Sequence, residues 1–174
     1  MATLNLDKAH SEIEFKVKHM MISNVKGHFQ DFDITVDGSS DDLTQAQVEV
    51  TIQTASINTK SESRDEHLKN ADFFDAATYP TIRFKSTTIT KVDDDEYKLV
   101  GDLTVKDVTK PATFIAEVGG IAKDPWGNDK IGFTVTGKIN RQEFALTWNA
   151  ALETGGVMVS DEVKFNAELQ FILS

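Results

Sequence analysis

Strict alternation of apolar and polar residues runs through most of this chain and narrows its fold more than any other feature. In EIEFKVKHM, Ile13, Phe15, Val17 and His19 share one face, while Glu12, Glu14, Lys16 and Lys18 share the other. HFQDFDITVDG continues with Phe32, Ile34 and Val36 before an Asp37-Gly38 turn, and AQVEVTIQT sets Val48, Val50 and Ile52 against polar neighbours. The same period returns in TIRFKSTTITKV, YKLVGDLTV, KPATFIAEVGG, KIGFTVTGKI and DEVKFNAELQFIL. A period of two belongs to half-buried antiparallel strands. The pattern predicts about eight of them, separated by turn signals at the DDDE run and at KDPWGND.

A two-sheet sandwich and a closed barrel both accommodate such strands. Their length favours the barrel, because a strand of ~10 residues spans roughly 33 Å. Eight strands enclose an interior that is just filled by side chains or holds one small ligand. Gly27, Gly101 and Gly137 fall inside strands, where a barrel bends or another part of the chain comes close. No repeat, low-complexity tract or linker interrupts residues 1–174, which read as one domain. The expected fold is all-β: an eight-stranded antiparallel barrel with one or two short helices, near 63–70 and 141–145.

The first of these helices lies in KSESRDEHLKNADFFDAATYP. Ser63 followed by Glu66 fits a capping box, and Asp65 with Lys69 fits an i,i+4 pair. Helix chemistry thus explains most of a cluster that otherwise resembles an acid/base site. It leaves Arg64 and His67 over. Arg64 has two readings, pairing with a distant carboxylate or contact with a polar ligand head group. Leu68, Phe73 and Phe74 predict that the helix packs on the sheet or plugs an opening.

Composition excludes several functions. With 28 acidic and 18 basic side chains the net charge is −10, which repels nucleic acid. An anionic membrane surface is disfavoured for the same reason unless a local basic patch exists, and no such patch is expected from the sequence. There is no cysteine, hence no disulfide or thiolate chemistry. The opening residues lack the basic and apolar regions of a signal peptide, and no apolar run reaches the length of a spanning helix, which predicts a cytoplasmic protein with no membrane insertion. His10, His19, His28 and His67 form no local ligand pair, and no G-x-S-x-G elbow occurs. Neither a metal nor a cofactor is expected.

Three functions stay open on the residues alone. The first is binding of a long apolar chain, which gains roughly 25 cal/mol per Å² removed from water and needs few directional bonds. The chain has 11 Phe against two Tyr and two Trp, and Phe is the aromatic without a polar handle. Phe15, Val17, Ile34, Phe84, Leu103, Phe114, Phe133, Phe165 and Phe171 are the candidate channel lining, with Arg64 at a head group. The second is a filled barrel that serves as a stress-related interaction protein. The third is an enzyme acting on a lipid-like substrate.

The segments AHSEIEFKVKH, VKGHF, ASINT, RDEHLKNADFFD, YPTIRFKST, GDLTVKDVTKP, INRQEFALTW and SDEVKFNAEL, in this order, resemble the YceI family. That resemblance implies a lipocalin-like barrel whose apolar channel holds a long-chain amphiphile of the polyisoprenoid or isoprenoid-quinone type, without catalysis. It also implies a homodimer. The family's first-strand motif falls on Phe15, Val17 and His19, its helix motif on Arg64, Asp65, His67 and Leu68, and its R-x-x-F-x-x-x-W pattern on Arg141, Phe144 and Trp148. The chain departs from the family in lacking a signal peptide and in having Asp107 where Gly is usual. Asp tolerates a left-handed backbone, so the turn is expected to survive.

Overall fold

Each alternating segment becomes a strand, and the turn residues between them let the chain double back. The computed structural model describes residues 3–19, 22–71, 73–146 and 159–174, and only the backbone of His19. The strands are β1 (Leu4–Leu6), β2 (Glu12–His19), β3 (Ser23–Phe29), β4 (Phe32–Asp37), β5 (Gln47–Gln53), β6 (Ile57–Asn58), β7 (Thr81–Asp93), β8 (Glu96–Val105), β9 (Val108–Lys123), β10 (Asp129–Asn140) and β11 (Glu162–Leu173). One α-helix, α1 (Glu62–Lys69), joins β6 to β7, and a 3-10 turn, Arg141–Phe144, follows β10.

Neighbouring strands are antiparallel, and the sheet closes because β11 pairs with two segments. The C-terminal half of β11 pairs with β1, Leu4 opposite Leu173, and its N-terminal half pairs with β2, Phe15 opposite Phe165. β1 with β2, β3 with β4 and β5 with β6 each occupy one position in the wall, which makes an eight-stranded closed barrel. The sequence did not announce β1 or β6, whose two or three residues are too short to show a period.

A half-buried ion pair fastens the break between β1 and β2. Lys130 on β10 donates to Asp7 at 2.5 Å, and Asp7 also meets His10 at 2.9 Å. The Lys130 hydrogen bond, against the opposing effect of burial, holds the Asp7 carboxyl below the usual carboxylate range.

The tight turn from β8 to β9 is Lys106-Asp107, both with left-handed φ, 51° and 61°. That pair of angles is what a two-residue hairpin requires, and Asp107 supplies it in place of Gly.

Glycines decide how the phenylalanines lie. A Cβ on Gly27 would stand 2.3 Å from Cζ of Phe15, and one on Gly137 would stand 2.3 Å from Cδ1 of Phe114. Gly27 is opposite Phe15, and Gly137 is opposite both Phe114 and Phe165. Gly101 makes similar room for Phe84. The rings therefore lie against the wall over bare backbone instead of standing upright into the interior, an arrangement used to support glycines in sheets.

The helix is capped differently from the expectation. Ser61, not Ser63, is the N-cap, and its hydroxyl accepts from the Arg64 N–H. Glu66 takes no part in a box and pairs with Lys69 at 3.5 Å. Asp65 does not reach Lys69. Its Oδ1 accepts from the Thr59 N–H at 2.8 Å and from the Thr59 hydroxyl at 2.5 Å. Two charge-assisted bonds to a fixed partner outweigh a solvent-exposed pair on one helix.

The expectation of no basic patch also fails. Strand register places Lys26 opposite Lys16, Lys16 opposite Lys164 and Lys164 opposite Lys138, four lysines in one row on the outer face of β3, β2, β11 and β10. They are far apart in sequence, so no linear run signals them.

Two expected outcomes test this architecture. Gly137→Ala forces the Phe114 ring off the wall and should lower unfolding free energy by about 1–3 kcal/mol, whereas Gly119→Ala, with its nearest neighbour 3.6 Å away, should stay within about 0.5 kcal/mol; urea titration measures both. The lowered pKa of Asp7 stabilises the fold above its unfolded pKa, near 4. That contribution is lost as pH falls from there through the lowered folded value, since the unfolded chain then binds the extra proton. Asp7→Asn should therefore flatten the acid limb of a stability-versus-pH curve and cost stability at neutral pH.

Candidate functional site: an apolar cavity with one polar mouth

The closed wall encloses a cavity of about 530 Å³, within the ~300–1,000 Å³ range of small-molecule sites. The interior is thus hollow. Its wall takes Phe15 and Val17 from β2, Ile34 from β4, Phe84 from β7, Leu103 from β8, Phe114 from β9, Phe133 from β10, and Phe165 and Phe171 from β11. Each of these positions follows from the alternation, because inward residues recur at every second place. Arg64 also borders the cavity. The His19 side chain, and Trp148, lie outside the described residues.

Several wall residues were not among the candidates. Ile13, Phe29, Ile52, Ile82 and Leu99 all line the cavity, and Phe73 and Phe74 reach it from the segment after α1. The strand residues among them carry the same alternation as their neighbours, so the signal was present. Rings touch in series: Phe15 with Phe29 at 5.5 Å, Phe29 with Phe74 at 6.0 Å, Phe84 with Phe114 at 5.3 Å, and Phe133 with Phe171 at 5.7 Å. The last three are edge-on contacts, the geometry that aromatic quadrupoles favour.

Apart from Tyr97 near the start of β8, the polar groups of the described lining collect at one end. The ends of β2 and β10, the start of β11 and helix α1 all lie there, and they supply Lys18, Ser63, Arg64, His67 and Arg141 to the lining. Among the described lining residues, the exposed ones are Lys18, Ser63 and Arg64. The cavity therefore meets solvent beside α1, and at the opposite end its lining is buried or half-buried.

Arg64 is positioned by the strand that precedes the helix. Its Nε donates to the Thr59 hydroxyl at 2.8 Å and its Nη2 to the Thr59 carbonyl at 2.7 Å. Because Asp65 accepts from the same residue, Thr59 ties both side chains of the crowded cluster to the barrel rim. His67 packs edge-on against Phe73 at 5.1 Å. Arg64 and Asp65 thus fasten the rim.

Arg141 is the buried cation of the mouth, with 2% exposure. Its guanidinium donates to the carbonyls of Ser160 at 2.9 Å, Leu146 at 2.5 Å and Val159 at 3.3 Å. Burial pulls its pKa down, and Asp161 opposes that shift. Arg141 thereby binds the end of β10 to the start of β11. Phe144, 1% exposed, packs beside it against β9.

On the outer wall, Glu12, Glu14 and His28 come within 4.8 Å of one another. His28 Nε2 lies 3.2 Å from Glu14. These groups are away from the cavity, and the fold, not local spacing, brings them together.

The chain is similar to known proteins along its whole length. The YceI-like domain matches residues 4–171. The UPF0312 protein SA2479 of Staphylococcus aureus strain N315 is 44% identical over 175 residues, covering 100% of this chain and 99% of that protein. Burkholderia cenocepacia BcnA superposes with a TM-score of 0.83 at 25% identity, covering 95% of this chain and 99% of BcnA. A polyisoprenoid binding domain from Saccharophagus degradans, implicated in plant cell wall breakdown, superposes with a TM-score of 0.72 over 100% of both chains. At 14% identity it shares the fold. A closed barrel with this helix-rimmed cavity, matched from end to end by the family's domain, makes the chain a member of the YceI-like family.

Proposed function

We propose that the barrel binds the hydrocarbon tail of a long-chain amphiphile, of the polyisoprenoid or isoprenoid-quinone class, and keeps its head group at the α1 mouth. The observation that carries this reading is the cavity itself: a wall mostly of Phe, Val, Ile and Leu whose exposed residues, among those described, are Lys18, Ser63 and Arg64. An apolar tail gains about 0.8 kcal/mol per buried methylene and asks for no hydrogen bonds, which suits such a wall. The cations at the mouth suit a polar or anionic head. Membership of the YceI-like family supports the same reading, as does the fold shared with a polyisoprenoid binding domain. A filled scaffold fits less well, because a filled barrel has no such cavity. The hydrogen bonds of Arg64 to Thr59 and of Arg141 to backbone carbonyls support a binder over an enzyme.

Gentle purification, organic extraction and mass spectrometry should recover a prenyl-type lipid in stoichiometric amount. No lipid, together with no thermal stabilisation by added prenyl lipids, would overturn the proposal. Phe133→Arg puts a charge beside Phe171 inside the cavity and should abolish loading while leaving a folded, less stable chain. Loading at the wild-type level would remove Phe133 from the site. Arg64→Ala should cost about 1 kcal/mol of stability through its lost bonds to Thr59. It should also weaken lipids with anionic heads more than uncharged ones, and equal weakening would leave Arg64 as a fastening alone.

A further inference from the structure

The four-lysine row has no explanation in the fold. Directly opposed like charges destabilise a sheet, yet Lys26, Lys16, Lys164 and Lys138 oppose one another across four strands of a chain with net charge −10. Lys26, Lys164 and Lys138 are exposed and Lys16 is half-buried. Glu162 reaches Lys138 at 3.8 Å, and among the described residues no ion pair reaches the other three. Nearby Glu14 is engaged by His28.

The row borders a groove. β9 pairs with β10 only as far as Phe114 opposite Gly137, so residues 138–140 have no partner on β9. Pro111, which has no N–H to offer, stands in the facing stretch. A groove of about 840 Å³ opens there, lined by all four lysines and by Glu14 and Glu143. Phe15, Phe165 and Ile139 line both this groove and the inner cavity. Cationic heads thus flank an apolar floor that backs directly on the cavity.

We infer that this lysine-rimmed groove is a docking face for a bilayer with anionic head groups, from which the proposed lipid is exchanged. The inference rests on the lipid-binding reading for its purpose but not for its chemistry. Adjacent strands are ~4.8 Å apart, so the row is roughly 14 Å long and spans neighbouring head groups. Phosphates meet the ammonium groups, and the apolar floor lies beneath them. The overall negative charge opposes approach at long range. Beyond ~8 Å at physiological ionic strength it is screened, and at contact the local row governs.

The test is sedimentation of the full chain with phosphatidylcholine vesicles, with and without phosphatidylglycerol. Wild-type protein should bind the phosphatidylglycerol vesicles selectively and release them as salt rises. Each Lys→Gln change in the row should weaken binding about five-fold. The quadruple variant K16Q/K26Q/K138Q/K164Q should fold at least as stably, because like charges are removed, and should take up lipid from phosphatidylglycerol vesicles more slowly than the wild type. Equal binding to both vesicles, no binding, or unchanged binding by the quadruple variant overturns the inference. So does self-association of the wild type that the variant abolishes, since a second acidic copy would then be the occupant. Lipid loading is read on the same samples: selective docking without any bound lipid would overturn the lipid reading and leave the docking face standing.

Discussion

The hollow interior depends on phenylalanine rings lying flat against glycine. Across β3, β2, β11, β10 and β9 one inner row reads Gly27, Phe15, Phe165, Gly137, Phe114. A Cβ on Gly27 or Gly137 would collide with the ring of Phe15 or Phe114 and force it from its place. Eight strands sit at the border between a filled barrel and one that holds a ligand, so the direction in which a few large side chains lean decides the outcome. The closure of the sheet through β11 and the ion pair of Lys130 with Asp7 then hold the wall in that shape.

That wall also separates two chemistries. Inside, the described lining is hydrocarbon for most of its length and, apart from Tyr97, turns polar at the α1 end. There Thr59 gathers Arg64 and Asp65, and Arg141 ties β10 to β11 through backbone carbonyls. A buried cation without such partners would be costly. Given them, it fixes the rim without filling the cavity. Outside, β3, β2, β11 and β10 carry the lysine row one residue out of phase with Gly27, Phe15, Phe165 and Gly137, so the alternation that builds the barrel also places charge behind Phe15 and Phe165.

Much of this was legible in the sequence. Period two gave the strands, their length favoured the barrel, and the inward places of Phe15, Phe84, Phe114, Phe133 and Phe171 followed. What was not legible depends on register and on partners distant in sequence. The lysines lie at positions 16, 26, 138 and 164 and become neighbours only once β2, β3, β10 and β11 are paired. The helix start was misplaced by two residues because Ser61 and Ser63 are equally good caps locally. Asp65 answered to Thr59 rather than Lys69 for a similar reason, since the end of β6 fixes where Thr59 stands. Gly27 and Gly137 were recognised as sites of close approach, but not as seats for particular rings.

The proposed role requires that the cavity take up a hydrocarbon chain. Affinity measured across a series of isoprenyl amphiphiles with one head group and increasing chain length tests it most directly. Binding should strengthen with each added unit, by up to ~0.8 kcal/mol per buried methylene, and level off once the cavity is full. Affinity that does not change with chain length would contradict it.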